Sequence, residues 1–252
     1  LKYWVPESVA ADIVRHCAPY VAADVHDEDA LTGQVNTSLY LDTPDLAFFH
    51  AHIEHAPDRY KLRVRAYGDP PRGKAFLEVK RKINRITLKT RADVPMGQMV
   101  PLLDGSYEQL PVLDVNSRRH LEHFLYLKTI THAEPAVLVR CRRQAFASMD
   151  PAEDIRVTFD RFITFQPWAH LSLDGEPGAW EPLDGTEQHG GEGPHALLEL
   201  KFPRIAPTWM RDLTEKLEMR RVSNSKYACA MRALLERRHG DLLLHERVAR
   251  RG

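Results

Sequence analysis

The sequence predicts an α+β protein built on a large antiparallel sheet. Several segments in the middle of the chain alternate between apolar and charged residues, which is the period of a strand with one buried face. Turn signals such as Gly68-Asp69-Pro70-Pro71 and Asp150-Pro151 separate these segments, as expected between antiparallel strands. Stretches with helical apolar periodicity lie at both ends and in one insertion, so helices are available to cover one face of the sheet.

The elements follow in order along the chain. Strands are expected over residues 35–41, 59–67, 75–82, 86–91, 136–146, 155–165 and 196–202. Helices are expected over residues 6–19, 43–53, 117–129, 207–217 and 224–239. Pro6 suits the first turn of the first helix, and Thr43-Pro44-Asp45 resembles a cap and first turn for the second. Residues 185–194 form a glycine-rich, acidic loop.

The composition is that of a globular chain. The 252 residues include 43% hydrophobic and 28% charged side chains, which is enough to bury a sizeable core. Length alone allows one large domain or two small ones, and the pattern of elements favours one domain over residues 1–252. Equal numbers of basic and acidic residues, 35 each, argue against a globally basic nucleic-acid binder.

The cysteines indicate a reducing compartment. Cys17, Cys141 and Cys229 are few, far apart and without a CxxC pair, so neither a disulfide framework nor a zinc ribbon is expected. The sequence contains no signal peptide and no apolar run near the ~18 to 20 residues that span a bilayer. We therefore expect a cytoplasmic protein. The first residue is Leu1, so we leave open a missing flanking domain or a membrane-anchored partner. Either would place the protein at the inner face of a membrane.

Positive charge is concentrated in one part of the chain. Residues 59–91 carry twelve basic side chains against Asp69 and Glu78, a net charge of +10, so the rest of the chain carries −10. A run of like charge usually lies in a disordered tail. This one lies in strand-like sequence, which is less usual.

Alternation sorts these charges onto single faces of the predicted strands, because successive side chains point to opposite sides. The charged faces carry Arg59, Lys61, Arg63 and Arg65; Glu78, Lys80 and Lys82; Arg156, Thr158 and Asp160; and Glu199 and Lys201. The intervening residues are mostly apolar. For one strand, the ordinary interpretation is an open sheet with its polar face in water.

The set of strands favours a different arrangement. Its polar face lacks Ser, Gln and Asn and is almost wholly cationic, so neighbouring strands would repel each other unless a polyanion lay between them. We therefore predict a barrel with an apolar outer face covered by helices and a charged lumen that focuses a positive potential on phosphates. Arginine forks and lysine ammonium groups are the side chains that bind phosphate oxygens.

Two glutamates within the cationic pattern need a role. Glu78 and Glu199 could each be an ion-pair partner of the neighbouring cations. Alternatively, they could bind Mn²⁺ or Mg²⁺, which use one or two carboxylates together with substrate phosphates and water. Glu199 is the better metal ligand of the two, because fewer basic residues surround it in the sequence.

Two smaller features favour structural roles. His52 and His55 have a spacing that could hold zinc, but no third ligand is evident, so a solvated helix face is favoured. Cys141, between two arginines on a predicted strand, is expected to be an inert packed thiol.

Eight short motifs match one known family in order along the chain. They are Lys2-Tyr3-Trp4-Val5; Ser38-Leu39-Tyr40-Leu41-Asp42-Thr43; Lys61-Leu62-Arg63-Val64-Arg65-Ala66-Tyr67-Gly68; Phe76-Leu77-Glu78-Val79-Lys80-Arg81-Lys82; Arg143-Gln144-Ala145-Phe146; Arg156-Val157-Thr158-Phe159-Asp160; Leu198-Glu199-Leu200-Lys201-Phe202; and Ser223-Asn224-Ser225-Lys226-Tyr227. With these motifs the chain resembles the triphosphate tunnel metalloenzyme (CYTH-like) superfamily. Within it, the chain is most similar to the catalytic domain of vacuolar transporter chaperone (VTC) polyphosphate polymerases.

The resemblance implies an eight-stranded antiparallel tunnel that holds a divalent metal. It also implies transfer of the ATP γ-phosphoryl group to a growing polyphosphate or pyrophosphate acceptor, with release of ADP. Arg63 and Arg65 would hold nucleotide phosphates, and Glu199 would ligate the metal, with Glu78 as a second candidate. The remaining cationic lining would be Lys80, Lys89, Arg143 and Arg156, with phosphate bound by Lys2, Lys201, Ser225 and Lys226.

One departure narrows the choice within the superfamily. Its hydrolases and cyclases usually open with an ExExK strand, whereas Lys2-Tyr3-Trp4 stands in that place here, as in the polymerase branch. An inorganic tri- or polyphosphatase and a non-catalytic polyphosphate- or nucleotide-binding module stay as alternatives. A nucleic-acid binder is disfavoured, because Tyr60, Phe76 and Phe159 alternate away from the cations instead of interleaving with them.

Overall fold

The computed structural model describes residues 1–24, 33–106, 111–150, 152–185, 190–191, 193–217, 219, 221–222 and 225–249, with side chains as far as residue 237. The strands are β1 (Lys2–Pro6), β2 (Val21–Ala23), β3 (Gln34–Asp42), β4 (Asp58–Tyr67), β5 (Arg72–Ile83), β6 (Ile86–Pro95), β7 (Glu134–Ser148), β8 (Arg156–Pro167), β9 (Glu181–Pro182) and β10 (His195–Lys201). The helices are α1 (Glu7–Cys17), α2 (Ala47–Ile53), α3 (Met96–Asp104), α4 (Val115–Ile130), α5 (Thr208–Lys216) and α6 (Lys226–Ala249). Ser223 and Asn224 of the last motif, and residues 186–189 and 192 of the predicted loop, lie outside the described residues.

Ten strands belong to one sheet. Eight of them follow the order β1-β10-β8-β7-β3-β4-β5-β6, while β2 pairs with β7 and β9 pairs with β8. The pairs β1/β10, β10/β8, β2/β7, β4/β5 and β5/β6 are antiparallel. The predicted α+β class with a large antiparallel sheet is confirmed. No pairing joins β1 to β6, the two ends of the order, in the part of the chain that the structure describes, so the closed barrel stays a prediction.

The backbone divides into two compact units, each assembled from three stretches of chain. The first unit contains Leu1–Asn36, Arg140–Thr164 and Glu181–Asn224. The second contains Thr37–Val139, Phe165–Trp180 and Ser225–Gly252. A single domain over residues 1–252 stays a prediction, and each unit is described by itself.

The first unit buries one face of its strands under two helices. On β10 and β8 the buried apolar residues are Ala196, Leu198, Leu200, Val157 and Phe159. The helices α1 and α5 contribute Ile13, Cys17, Trp209, Met210 and Leu213 to the same cluster. The alternating pattern therefore has its predicted meaning here: one face of the sheet is core, and the other carries charge.

The second unit repeats this sidedness. Its core contains the apolar residues of β4, β5 and β6, namely Leu62, Val64, Ala66, Leu77, Val79, Ala92 and Val94. The helices α3 and α4 cover them with Met99, Leu102, Leu103, Leu121 and Phe124. Helices thus cover the apolar sheet face in each unit, as predicted, and the opposite face is left to the cations.

The sequence located most elements and missed the short ones. Strands β1, β2 and β9 and helix α3 are absent from the predicted elements. β2 and β9 have only three and two residues, which carry little periodicity, and Pro101 lies inside α3. The predicted start of the second helix at Thr43 is wrong. Residues 43–46 form a turn with Leu46 at a φ of 57°, and α2 begins at Ala47. The N-cap is Leu46, which makes no side-chain capping hydrogen bond, but Thr43 Oγ1 accepts a hydrogen bond from Ala47 N at 2.7 Å.

A buried carboxylate fixes the position of α2 in the second unit. Asp42 is 2% exposed, and its oxygens accept hydrogen bonds from Phe48 N and Phe49 N, both at 2.9 Å. The same carboxylate accepts a short hydrogen bond from the hydroxyl of Tyr227 on α6. An anion at a helix N-terminus is favourable because the first N–H groups have no partner within the helix. Asp42 therefore joins the end of β3 to two helices.

Replacing this carboxylate should destabilise the protein. Asp42→Ala would leave three backbone N–H groups, those of Thr43, Phe48 and Phe49, and the Tyr227 phenol without their acceptor, at about 1 to 3 kcal/mol for each buried group. We expect the free energy of unfolding to fall by about 3 to 5 kcal/mol, measured by urea denaturation. Glu122→Ala on the exposed side of α4 is the control and should change it by no more than about 0.5 kcal/mol. Equal stabilities for the two variants would contradict the anchoring role.

Candidate functional site

The cations of β4, β5 and β6 form rows across the second unit's sheet. Lys61 lies opposite Lys80, and Lys80 lies opposite Lys89. We call these three residues the lysine row. Register partners on adjacent strands share a face, with their β carbons about 5 Å apart, so three positively charged side chains start from neighbouring positions on one face. The register thus brings Lys80 and Lys89 together with Lys61, and the role of Lys80 and Lys89 as a phosphate-binding lining stays a prediction.

The next row contains a carboxylate between two arginines. Arg63 lies opposite Glu78, and Glu78 lies opposite Arg91. Arg63 Nε makes a short ion pair with Glu78 Oε2, while Arg65 Nη2 lies 4.0 Å from the same oxygen. Burial opposes the ionisation of Glu78, but Arg63 and Arg65 outweigh it and lower its pKa. Of the two roles left open for Glu78, the ion pair is the one observed, and its metal role stays a prediction.

A tyrosine that the sequence did not single out completes this cationic group. Tyr40 is 7% exposed, and its hydroxyl accepts a hydrogen bond from Arg63 Nη1 at 3.4 Å. Burial would raise the pKa of Tyr40, but Arg63 and Arg65, with a smaller effect from Lys226, lower it. The Tyr40 ring also stacks on Tyr227, with ring centroids 5.0 Å apart. The side chain is therefore held between the arginines and α6.

Lys61 contacts two partners outside the sheet. Its Nζ donates to Ser225 Oγ at 2.6 Å and lies 3.4 Å from His52 Nε2. Ser225 immediately precedes α6, where its Oγ also accepts from Ala228 N at 3.4 Å. The structure thus brings the predicted residue Ser225 to the lysine row. Lys226 is the next residue, and its positive charge helps to lower the pKa of Tyr40.

The prediction of a solvated helix face is wrong for His52. Its side chain is half-buried on α2, and burial together with Lys61 and Arg59 lowers its pKa to about 4. His55 lies beyond the end of α2 and is exposed. No group of three or more His, Cys, Asp or Glu side chains able to share a metal ion occurs within the described residues.

In the first unit, Glu199 lies among cations on the polar face of β10. Its register partners are Lys2 on β1 and Thr158 on β8, and Lys201 Nζ lies 3.8 Å from Glu199 Oε1. Burial opposes the ionisation of Glu199, but Lys2, Lys201 and Arg143 outweigh it and lower its pKa. Three predicted site residues therefore meet around one ionised carboxylate.

The predicted arginines of the first unit differ in their surroundings. Arg143 holds Asp160 with two hydrogen bonds of 2.6 and 2.7 Å, and Asp160 is fully buried. Arg156 lies opposite Lys201 in the register, but it pairs with Asp24 at 3.4 Å and keeps 48% of its side chain exposed. Cys141 is buried, as predicted, with its Sγ 3.8 Å from Asp160 Oδ1.

The donor atoms around Glu199 suit a hard divalent cation. Thr158 Oγ1 is buried and has no hydrogen-bond partner among the described residues. It lies across the strands from Glu199, so an ionised carboxylate and a hydroxyl without a partner share one face. Oxygen donors are what Mg²⁺ and Mn²⁺ prefer, with phosphate and water filling the remaining positions. Glu78 is less suited, because Arg63 already occupies one of its oxygens.

The fold and these charges define an α+β protein whose sheet faces are suited to polyanions. The chain belongs to the VTC domain family, whose model matches residues 1–235. Subunit 4 of the vacuolar transporter chaperone complex of Trypanosoma cruzi is 22% identical over 93% of this chain. The match covers 34% of that relative, so this chain spans about a third of its length.

One of two similar solved structures supports the fold assignment. A protein of Bacillus halodurans, provisionally named an adenylate cyclase, aligns with 89% of this chain and 91% of its own at 9% identity and a TM-score of 0.50. A Vibrio parahaemolyticus protein of the same provisional name aligns with 90% and 95% at 10% identity and a TM-score of 0.43. At such identities the first likeness shows the fold alone.

The environment of His52 predicts a pH dependence of stability. Its folded-state pKa of about 4 lies below the unfolded value of about 6.5, so the unfolded state binds more protons between these pH values. Stability should therefore fall from pH 7 to pH 5, and His52→Gln should reduce this loss by about 1 to 2 kcal/mol. Urea denaturation at the two pH values measures it.

His50→Gln is the control, because His50 is exposed on the same helix. It should keep the decline of the wild type. If His52→Gln also kept the full decline, burial of a neutral imidazole at this position would be contradicted.

Proposed function

We propose that this protein is a polyphosphate polymerase. It transfers the γ-phosphoryl group of ATP to the end of a growing polyphosphate or pyrophosphate acceptor and releases ADP. Membership of the VTC domain family supports the proposal, as does the likeness to a subunit of the vacuolar transporter chaperone complex. Because the chain spans a third of that relative, the proposal concerns the domain described here.

The lysine row is the observation that carries the proposal. Lys61, Lys80 and Lys89 lie opposite one another on three neighbouring strands, and Arg63 and Arg65 follow on the same face of β4. Like charges that face each other across strands destabilise a sheet. A chain of phosphates along this face would relieve the repulsion at several positions at once. A small anion would relieve the repulsion at one position only.

The predicted residues divide into two groups under this proposal. In the second unit, Arg63 and Arg65 bind nucleotide phosphates as guanidinium forks, while Lys80, Lys89 and Lys226 act as point charges and Ser225 as a hydroxyl donor. In the first unit, Lys2, Lys201, Arg143 and Arg156 supply the cations. Asp160 limits how far Arg143 can turn toward a phosphate, because it already accepts two of its hydrogen bonds.

Glu199 would hold a divalent cation, Mn²⁺ or Mg²⁺, together with substrate phosphate oxygens. When bound, such an ion supplies positive charge that neutralises phosphate oxygens and helps to orient them. Lys2 and Lys201 keep the Glu199 carboxylate ionised, which a metal ligand must be.

The reaction needs no protein nucleophile. An oxygen of the acceptor's terminal phosphate attacks the γ-phosphorus of ATP, the bond from that phosphorus to the β,γ-bridging oxygen breaks, and ADP leaves with the electron pair. Phosphoryl transfer has a loose transition state with charge spread over the equatorial oxygens, so positioning and electrostatic stabilisation account for most of the catalysis. The guanidinium groups of Arg63 and Arg65 are suited to both tasks.

The finer parts of the architecture are proposals as well. The polymerase is expected to enclose its phosphate chain in an eight-stranded tunnel. No helix in the described part of the chain is long and apolar enough to cross a membrane. We propose that the protein acts on the cytoplasmic side and that any membrane attachment comes from a partner or a flanking domain.

Loss of the proposed metal ligand or of a phosphate-binding arginine should abolish synthesis without unfolding the protein. Glu199→Gln and Arg63→Ala should each lower the rate of polymer formation by roughly 10² to 10³, or about 3 to 4 kcal/mol of transition-state stabilisation. The assay incubates the protein with ATP and Mn²⁺ and detects ADP and long polyphosphate on a gel. Thermal unfolding checks that each variant is folded.

Glu215→Gln is the matched control, because Glu215 is an exposed carboxylate on α5. It should keep the wild-type rate. Near-normal synthesis by Glu199→Gln would remove Glu199 from the metal role. Free phosphate without polymer from the wild type would indicate a tri- or polyphosphatase, and binding without turnover would indicate a binding module.

A further inference from the structure

We propose that Lys61 is a further phosphate-contacting residue and that His52 is the positioning residue that aims it. The inference rests on the proposed function, since it adds two residues to the same cationic face. The resemblance assigned a role to neither of them. The observation that carries it is the cluster of His52 Nε2, Lys61 Nζ and Ser225 Oγ in the second unit.

The hydrogen-bond directions at Ser225 point to an anion. Its Oγ accepts from Lys61 Nζ at 2.6 Å and from Ala228 N at 3.4 Å. A hydroxyl oxygen has two acceptor positions and carries one hydrogen. With both acceptor positions used, the hydrogen is what Ser225 can offer to a further partner. That partner must be a hydrogen-bond acceptor. Because the Lys61 ammonium group is adjacent, a negatively charged phosphate oxygen is the acceptor that both groups would bind most strongly.

Lys61 is held in one direction, although lysine is normally a flexible side chain. Its ammonium group is within hydrogen-bond distance of both Ser225 Oγ, at 2.6 Å, and His52 Nε2, at 3.4 Å. Only an imidazole nitrogen with a free lone pair can accept a hydrogen bond from an ammonium group. Burial and the nearby cations keep His52 neutral at pH 7. A charged imidazolium would instead repel Lys61.

The elements that carry these two partners are fixed by the same carboxylate. Asp42 accepts hydrogen bonds from backbone N–H groups in the first turn of α2. His52 lies in the last turn of the same helix. Asp42 also accepts a hydrogen bond from Tyr227, two residues after Ser225. The distance between the two partners of Lys61 is therefore set by buried contacts, which is what pre-organises a binding group.

The test measures binding of inorganic tripolyphosphate by calorimetry in metal-free buffer, so it does not depend on synthesis. Lys61→Met should weaken binding about 10- to 100-fold, the effect of one charged hydrogen bond. It should still fold, because it removes a charge that faces Lys80. Arg81→Met is the control, since it removes one positive charge from the opposite face of β5 and should change the affinity less than about 3-fold.

His52 is tested by three variants. His52→Phe keeps a ring but no acceptor and should weaken binding by a factor similar to that of Lys61→Met. His52→Gln restores an acceptor and should bind nearly as the wild type does. In the double variant His52→Phe/Lys61→Met, loss of His52 should add nothing, because it acts through Lys61.

Three results would overturn the inference: unchanged binding by Lys61→Met, unchanged binding by His52→Phe, or additive losses in the double variant. Failure of polymer synthesis in the wild type with these binding effects intact would refute the polymerase and leave the phosphate contact standing. Normal polymer synthesis by the wild type, with tripolyphosphate binding unaffected in all variants, would support the polymerase and refute the phosphate contact.

Discussion

Repulsion between like charges on neighbouring strands is the constraint on which the rest of the structure depends. Strands lie about 4.8 Å apart, so the lysine row places three positively charged side chains on neighbouring positions of one face. Embedded carboxylates offset part of this repulsion, with Glu78 bound to Arg63 in one unit and Asp160 bound to Arg143 in the other. The apolar side of the same strands lies in a helix-covered core, which holds the charges on one face. The remaining repulsion favours a bound polyanion.

The two glutamates show how environment separates residues of the same type. Glu78 lies between arginines and is paired with one of them, so its negative charge serves to hold the guanidinium groups in place. Glu199 lies between a lysine and a buried threonine hydroxyl that has no partner in the described part of the chain. Both carboxylates are ionised, but Glu199 has the surroundings of a ligand for a hard cation.

Asp42 explains why distant motifs belong together. A single buried carboxylate accepts hydrogen bonds from the start of α2 and from Tyr227 on α6. Lys61 is contacted by a residue from each of these two parts of the chain. Packing in the second unit therefore sets the geometry of a polar cluster on the cationic face. Such support from a rigid surrounding is what a binding site requires.

The sequence by itself determined the fold class, most of the longer elements and the sidedness of the strands, because a period of two depends on neighbouring residues alone. Alternation was enough to place Arg63, Arg65 and Lys80 on one face. Only the tertiary structure decided that Glu78 pairs with Arg63, that Arg156 turns to Asp24 and that His52 reaches Lys61. These contacts join residues 9 to 132 positions apart or depend on strand register, and no local pattern encodes them. His52 was misjudged for this reason, since the burial of a short helix's face depends on what packs against it.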